Sequence, residues 1–294
     1  MRWIAILITI FHVGCAAHIP DIKAHYSPEN TQHLLEQTHI TASDAGSEKT
    51  ADLLAISPEM REFIDSIDPT LHPSRRFRKI LRTLKLDGFQ LEYDLNRTTN
   101  AAEAFAERRG NCISFAALIV ALARDVGLEA SFNRVDAPLG RAKIRNANGR
   151  QVIQNILHIN AEVSYGWSSQ VIEINFKPRS QFPHIPLEDE EVASMYLNNL
   201  ALEASNNGDL PLAFSLIHNA LTLHQQSAMT WTTLGYLYRQ RGTLDLAEMS
   251  YNQALYLDGD NSSAQANLRN IYQLRDQGVL SSRNYGAKNA APEA

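Results

Sequence analysis

The chain has 294 residues, 44% of them hydrophobic, and a formal net charge of −5 at pH 7. That length leaves room for about two domains at the usual ~150 residues each. The charge balance has neither the basic excess of a nucleic-acid binder nor an acidic block long enough for a tail, so nucleic acid is excluded as a first-choice partner.

The opening residues, MRWIAILITIFHVGC, join Arg2, an apolar run from Trp3 to Phe11 and a small residue before Cys15. The run is shorter than the ~20 apolar residues that span a bilayer and fits a secretory h-region. Val13-Gly14-Cys15 resembles the lipobox of bacterial lipoproteins, with His12 where Leu is usual. The resemblance implies a signal peptide over residues 1–14 and lipidation of Cys15. Ala16 is not the Asp that commonly retains such proteins in the inner membrane, which implies a lipid anchor in the bacterial outer membrane, facing the periplasm. An ordinary cleaved signal and a plain hydrophobic start are the alternatives. Residues 15–56 are polar and aperiodic and are expected to form a flexible tether. Its His18, His25, His33 and His39 match no metal-ligand spacing, and no metal or cofactor is expected.

Ser57-Pro58 pairs an N-cap with proline at the first helical position, opening a helix that ends at Asp68-Pro69. In SRRFRKILRTLKL, Phe77, Ile80, Leu81 and Leu84 form an amphipathic stripe. Six basic residues lie around it: Arg75, Arg76, Arg78, Lys79, Arg82 and Lys85. They read as a solvated face, with anionic lipid or peptidoglycan as the alternative contact. A third helix is expected from Thr99 or Asn100 through AAEAFAERR to Gly110. The stretch RRGNCISFAALIVALARDVGLEA then predicts a helix from Cys112 to Asp125, capped by Gly127. It is apolar almost all round and therefore central.

Strand patterns follow in EASFNRVD, ILHINAEVSY and QVIEINFK, with a turn around Asn146 to Gly149. Helices followed by antiparallel strands give an α+β order. Pro178, Pro183 and Pro186 mark a linker at 179–187. Beyond it a 34-residue period relates Leu200, Leu234 and Leu268, Gly208 and Gly242, and Ala213 and Ala247. This period resembles the tetratricopeptide repeat, with about two and a half copies over residues 188–276. An array this short is marginal alone, so its helices are expected to lean on the preceding domain. Such repeats imply a protein or peptide partner, while Trp231 and Tyr238 sit at packing positions. Residues 277–294 are expected to be loose.

With Cys15 lipidated, Cys112 has no disulfide partner in the chain, and a lone thiol in an oxidising compartment needs a reason. It is either a small buried apolar residue or a nucleophile. A thiol attacks as thiolate, a form favoured by a helix N-terminus and by imidazolium. First-turn N–H groups are also expected to hold an oxyanion. Asn111 and Ser114 adjoin as oxyanion or site-shaping candidates, although Ser114 reads more simply as a first-turn helix residue. Strand alternation groups His158 with Asn160 and Glu162, and Glu173 with Asn175. A hairpin centred between Gly166 and Trp167 would set His158 opposite Asn175, at the ~4.5–5.5 Å Cβ separation of paired residues. Glu173 shares that face and is the substitute for Asn175.

This order of cysteine, histidine and asparagine, within RGNCISFAALIVALARDVGLEA and the two later strands, resembles the transglutaminase-like superfamily, a circular variant of the papain-like cysteine peptidase fold. Lipoproteins that join such a domain to tetratricopeptide repeats are similar over roughly Ser57 to Leu274. The YDLNRTTNAAEAFAERRGNC approach to the cysteine is the most specific part. The resemblance implies an α+β papain-like domain at residues 57–178 followed by an all-α repeat domain. It makes Cys112 the nucleophile, His158 the general base and acid, and Asn175 the orienting residue, where the family usually has Asp before Phe. A thioester would then be resolved by water, as in a peptidase, amidase or deamidase, or by an amine, as in a transglutaminase. The competing expectation is a non-catalytic periplasmic scaffold that binds a peptide or cell-wall component.

Overall fold

The computed structural model describes residues 53–86, 89, 91–135, 140–145, 151–173 and 182–288, with side chains of the final helix described as far as Asp276. The signal peptide, Cys15, most of the tether with its histidines, the turn at 146–149 and Asn175 lie outside the described residues. Among the described residues no helix is long and apolar enough to cross a membrane.

Helix α1, Pro58–Asp65, starts where the sequence predicts: the Ser57 side chain accepts from the Met60 N–H at 3.2 Å, and Pro58 holds the first turn. Helix α2, Pro73–Leu86, buries Phe77, Ile80 and Leu84 and leaves Arg75, Arg78, Lys79 and Arg82 exposed. A two-residue strand β1, Glu92–Tyr93, precedes helix α3, Ala101–Glu107. A reciprocal capping box between Asn100 and Glu103 fixes the start of α3. Arg108 closes it in the left-handed region at φ 56°. That turn swings the chain into β2, Arg109–Gly110, which pairs in parallel with β1 and sets Tyr93 beside Gly110.

Helix α4 runs from Cys112 to Asp125, as the sequence predicts, and every residue from Ile113 to Ala123 is buried. Enclosure explains its nearly uniform apolarity. It packs on an antiparallel sheet of order β7-β6-β3-β8, made of β3 (Ala130–Val135), β6 (Ile159–Ser164), β7 (Ser169–Ile172) and β8 (His184–Leu187). Ile159, Ala161 and Val163 of β6 are the buried residues facing this core, with Phe132 of β3. A separate hairpin joins β4, Gly140–Arg145, to β5, Gln151–Ile156. The stretch expected to be only a linker contributes β8, which pairs with β3 along one edge of the sheet. Proline is tolerated there because an edge strand need not donate on its outer side.

The C-terminal region is helical: α5 (Asp189–Asn206), α6 (Leu210–Leu223), α7 (Ala228–Arg241), α8 (Leu244–Leu257) and α9 (Ser262–Lys288). The 34-residue period survives as geometry, since α6 and α8, and likewise α7 and α9, start that far apart. The turns Gly208 and Gly242 take matching positive φ values of 86° and 87°, a conformation glycine adopts without steric cost. Trp231, Tyr238 and Tyr251 are buried here, in keeping with packing roles for the first two. Helix α9 continues to Lys288, so much of the segment expected to be loose is helical backbone.

The two regions share one continuous buried cluster. Arg124 on α4 makes a bidentate pair with Asp189 on α5, with contacts of 2.5 and 2.9 Å. The buried Thr98 N–H donates to the Glu203 carboxylate at 2.6 Å.

Candidate active site

Cys112 stands at the first position of α4, placed there by a densely bonded polar knot. The Asn111 side-chain carbonyl accepts from the N–H groups of Ile113 at 3.0 Å and Ser114 at 3.2 Å, while its amide donates to Thr98 Oγ1 at 2.7 Å. Ser114 Oγ accepts from the Thr99 N–H at 2.8 Å. Asn111, Ser114, Thr98 and Thr99 are all buried. Both site-shaping candidates are therefore used in holding the helix start. The expectation that several first-turn N–H groups await an oxyanion is corrected: those of Ile113 and Ser114 are occupied by the cap. The Cys112 N–H is the first-turn donor that the cap leaves free.

Gly110 permits this knot. A Cβ there would lie 2.6 Å from Ser114 Cβ, 2.8 Å from Ser114 Oγ and 2.9 Å from Thr99 Oγ1. Glycine is needed for close approach, and the chain enters Asn111 and Cys112 through a gap with no room for a side chain.

His158 sits immediately before β6, where its carbonyl accepts from the Val135 N–H at 3.0 Å. The hairpin register is the one read from the sequence: Ala161 pairs with Ile172 and Ser164 with Ser169, centring the turn between Gly166 and Trp167. Extending the ladder by one step brings Asn160 opposite Glu173, and the Asn160 amide donates to Glu173 Oε1 at 3.0 Å. The other carboxylate oxygen, Oε2, lies 3.2 Å from His158 Nε2. With Nε2 turned to Glu173, Nδ1 is the nitrogen left for the thiol.

The Glu173 side chain is 2% exposed and that of His158 17%. Burial disfavours the charged imidazole, but hydrogen bonds to Cys112 and Glu173, together with their charges, outweigh it and raise its pKa to about 9. Cys112, half-buried, also donates from Sγ to the Leu157 carbonyl at 3.6 Å. Beside these residues runs a small cleft lined by Phe115, Ala116, Ile159 and Ile172.

Sequence reasoning gave Tyr93 no role, yet its side chain is hydrogen-bonded to Cys112. Burial first, then the neighbouring Cys112, hold the phenol above its ordinary pKa and so in its protonated, donating form. The Tyr93 ring also packs near Phe115, with centroids 6.3 Å apart. The parallel pairing of β1 with β2 produces this contact, and no local periodicity announces a two-residue strand.

A thiol at a capped helix N-terminus, an imidazole and a buried carboxylate thus meet at one point. Residues 63–168 match the family model of the transglutaminase-like superfamily. The match takes in Cys112 and His158 and ends at Ser168, short of Glu173. No curated protein matches the chain. The matched region contains α4, β6 and the residues Cys112 and His158, while β7, Glu173 and the helical region after Leu187 lie beyond the match. Among the described residues no group of His, Cys, Asp and Glu is arranged to hold a metal ion.

Proposed function

We propose that the transglutaminase-like region is a thiol-dependent acyl-transfer or amide-hydrolysing enzyme in which Cys112 is the nucleophile. The observation that carries this reading is the placement of His158 between the Cys112 thiol and the buried Glu173 carboxylate, 3.2 Å from its Nε2.

In the proposed reaction Nδ1 of His158 takes the Cys112 proton and the sulfur attacks an amide carbonyl. The carbonyl oxygen gains negative charge that the Cys112 N–H and the Tyr93 hydroxyl are placed to stabilise. Collapse breaks the carbon–nitrogen bond, and the His158 proton goes to the departing amine. The enzyme is left as a thioester. Water or a second amine, deprotonated by His158, attacks it and releases Cys112. Glu173 holds the imidazole in the required tautomer and favours its charged form, the task the sequence assigned to Asn175. Asn160 fixes Glu173 in turn.

The helical region is proposed to be a tetratricopeptide-type module that holds a protein or peptide partner, and the chain a lipoprotein anchored through Cys15 at the periplasmic face of the bacterial outer membrane. The 34-residue offset between helix pairs supports the first proposal and the Val13-Gly14-Cys15 sequence the second. Mass spectrometry of the mature N-terminus tests the anchor: acylated Cys15 is expected, and an unmodified terminus elsewhere refutes it. For the chemistry, the wild type and Cys112→Ala are profiled against glutamine peptides and peptidoglycan fragments. Release of ammonia or amine by the wild type alone supports the enzyme. If no thioester is trapped on Cys112 and iodoacetamide alkylates it no faster than an ordinary thiol, the non-catalytic scaffold is the better account.

A further inference from the structure

The thiol site makes no use of the basic face of α2. Its four exposed cations, Arg75, Arg78, Lys79 and Arg82, recur at helical spacing on one side, opposite the buried Phe77, Ile80 and Leu84. Lys79 has Asp68 as an electrostatic neighbour. Among the described residues no carboxylate lies within ion-pairing distance of any of the four. In a chain of net charge −5, this is a segregated positive surface.

A second feature lies against it. The tip of the β6–β7 hairpin carries Trp167, wholly exposed at 106%, on a turn that Gly166 makes at φ 90°. The hairpin meets α2 through Tyr165, whose ring centroid is 6.4 Å from that of Phe77 and lies under the Arg78 guanidinium at 4.9 Å. The exposed indole therefore stands two residues from a tyrosine that joins the hairpin tip to the basic helix through Arg78.

We infer that this face docks on an anionic lipid bilayer. Basic side chains are attracted to anionic headgroups, and Trp and Tyr partition into the headgroup layer. Four cations spread along a helix face, with an exposed indole on the adjoining hairpin, suit an extended anionic surface better than a small anion. Strand β6, six residues from Ile159 to Ser164, separates His158 from the turn at Gly166, a span of about 20 Å at ~3.3 Å per residue. Docking by the tip thus leaves the thiol site at the far end of the hairpin, away from the lipid. The inference does not depend on acylation of Cys15 or on turnover at Cys112.

The test uses the full chain carrying Trp3→Phe and Cys15→Ser, which removes the leader indole and the candidate acyl site. Co-sedimentation is measured with vesicles of phosphatidylcholine alone and with added phosphatidylglycerol. Binding is expected only with the anionic lipid and should weaken at high salt. It should fall about tenfold or more when Arg75, Arg78, Lys79 and Arg82 are all changed to Glu. Trp167 emission should shift to the blue on binding, and Trp167→Ala should abolish that shift. All five positions are exposed, so far-UV circular dichroism should be unchanged. Equal binding to neutral vesicles, binding indifferent to charge reversal, an unshifted Trp167, or binding to peptidoglycan sacculi but not to vesicles would each overturn the inference.

Discussion

His158 Nε2 and Glu173 Oε2 lie 3.2 Å apart, with the carboxylate almost wholly out of water and its second oxygen held by the Asn160 amide. A buried carboxylate in that position does more than an amide could, because it stabilises the imidazolium electrostatically as well as fixing its tautomer. Glu173→Gln keeps the shape and removes the charge. Turnover on an amide substrate is expected to fall about 10²- to 10⁴-fold, and alkylation of Cys112 by iodoacetamide at neutral pH is expected to slow. Unchanged kinetics in this variant would show that Glu173 does not orient His158.

The pH dependence follows from the same pair. The imidazole pKa rises from an ordinary 6.5 to about 9 on folding. Its contribution to stability is therefore full below about pH 6.5 and lost as pH rises through about 9. Thermal midpoints of the wild type and of His158→Ala, followed from pH 6 to 10, should converge at the alkaline end. In Glu173→Gln the imidazolium should titrate at lower pH, visible as a lower midpoint in the NMR titration of the His158 ring protons. A difference between wild type and His158→Ala that grows with pH would contradict the assignment.

Gly110→Ala inserts a methyl within 2.6–2.9 Å of Ser114 and Thr99. Both neighbours are buried and hydrogen-bonded to the backbone, so neither can yield cheaply. The expected loss is about 1–3 kcal/mol, read as a lower denaturant midpoint, together with slower alkylation of Cys112 as the helix start is displaced.

Much of this architecture was legible in local pattern, and the misses share a cause. The bounds of α4 followed from its apolar composition and the stop at Gly127, and the β6–β7 register followed from strand alternation and the turn at Gly166-Trp167. The site departs from that reading where contacts run between distant segments or along a diagonal. Register arithmetic pointed His158 to the directly opposite residue, Asn175, which lies outside the described residues. Among the described residues the imidazole reaches Glu173, the substitute named from the sequence, which stands opposite Asn160 and whose longer side chain spans the offset. Tyr93 reaches Cys112 only because a two-residue strand pairs in parallel with another. Strand β8 was obscured by prolines that an edge position accommodates.

In the helical region Gly235 gives a prediction of unusual sign. Glycine to alanine within an exposed helix usually stabilises by about 1 kcal/mol. Here the added Cβ would lie 2.6–3.0 Å from the ring of Tyr251, which is fully buried. Gly235→Ala is therefore expected to lower the thermal midpoint, and pairing it with Tyr251→Leu should recover part of the loss. A more stable Gly235→Ala would mean that α7 and α8 are not packed this closely.

The bond from Thr98 to Glu203 ties the start of the Cys112 helix to a segment far along the chain. Thr98 receives the Asn111 amide on its hydroxyl and gives its own N–H to a carboxylate on α5. Severing the polypeptide after Leu187 would not release a self-sufficient front half. It would strand a buried N–H next to the cap of the cysteine helix, at a cost of about 1–3 kcal/mol. The helices after Leu187 serve as a back wall to the transglutaminase-like region and form part of the scaffold that keeps Cys112 in place.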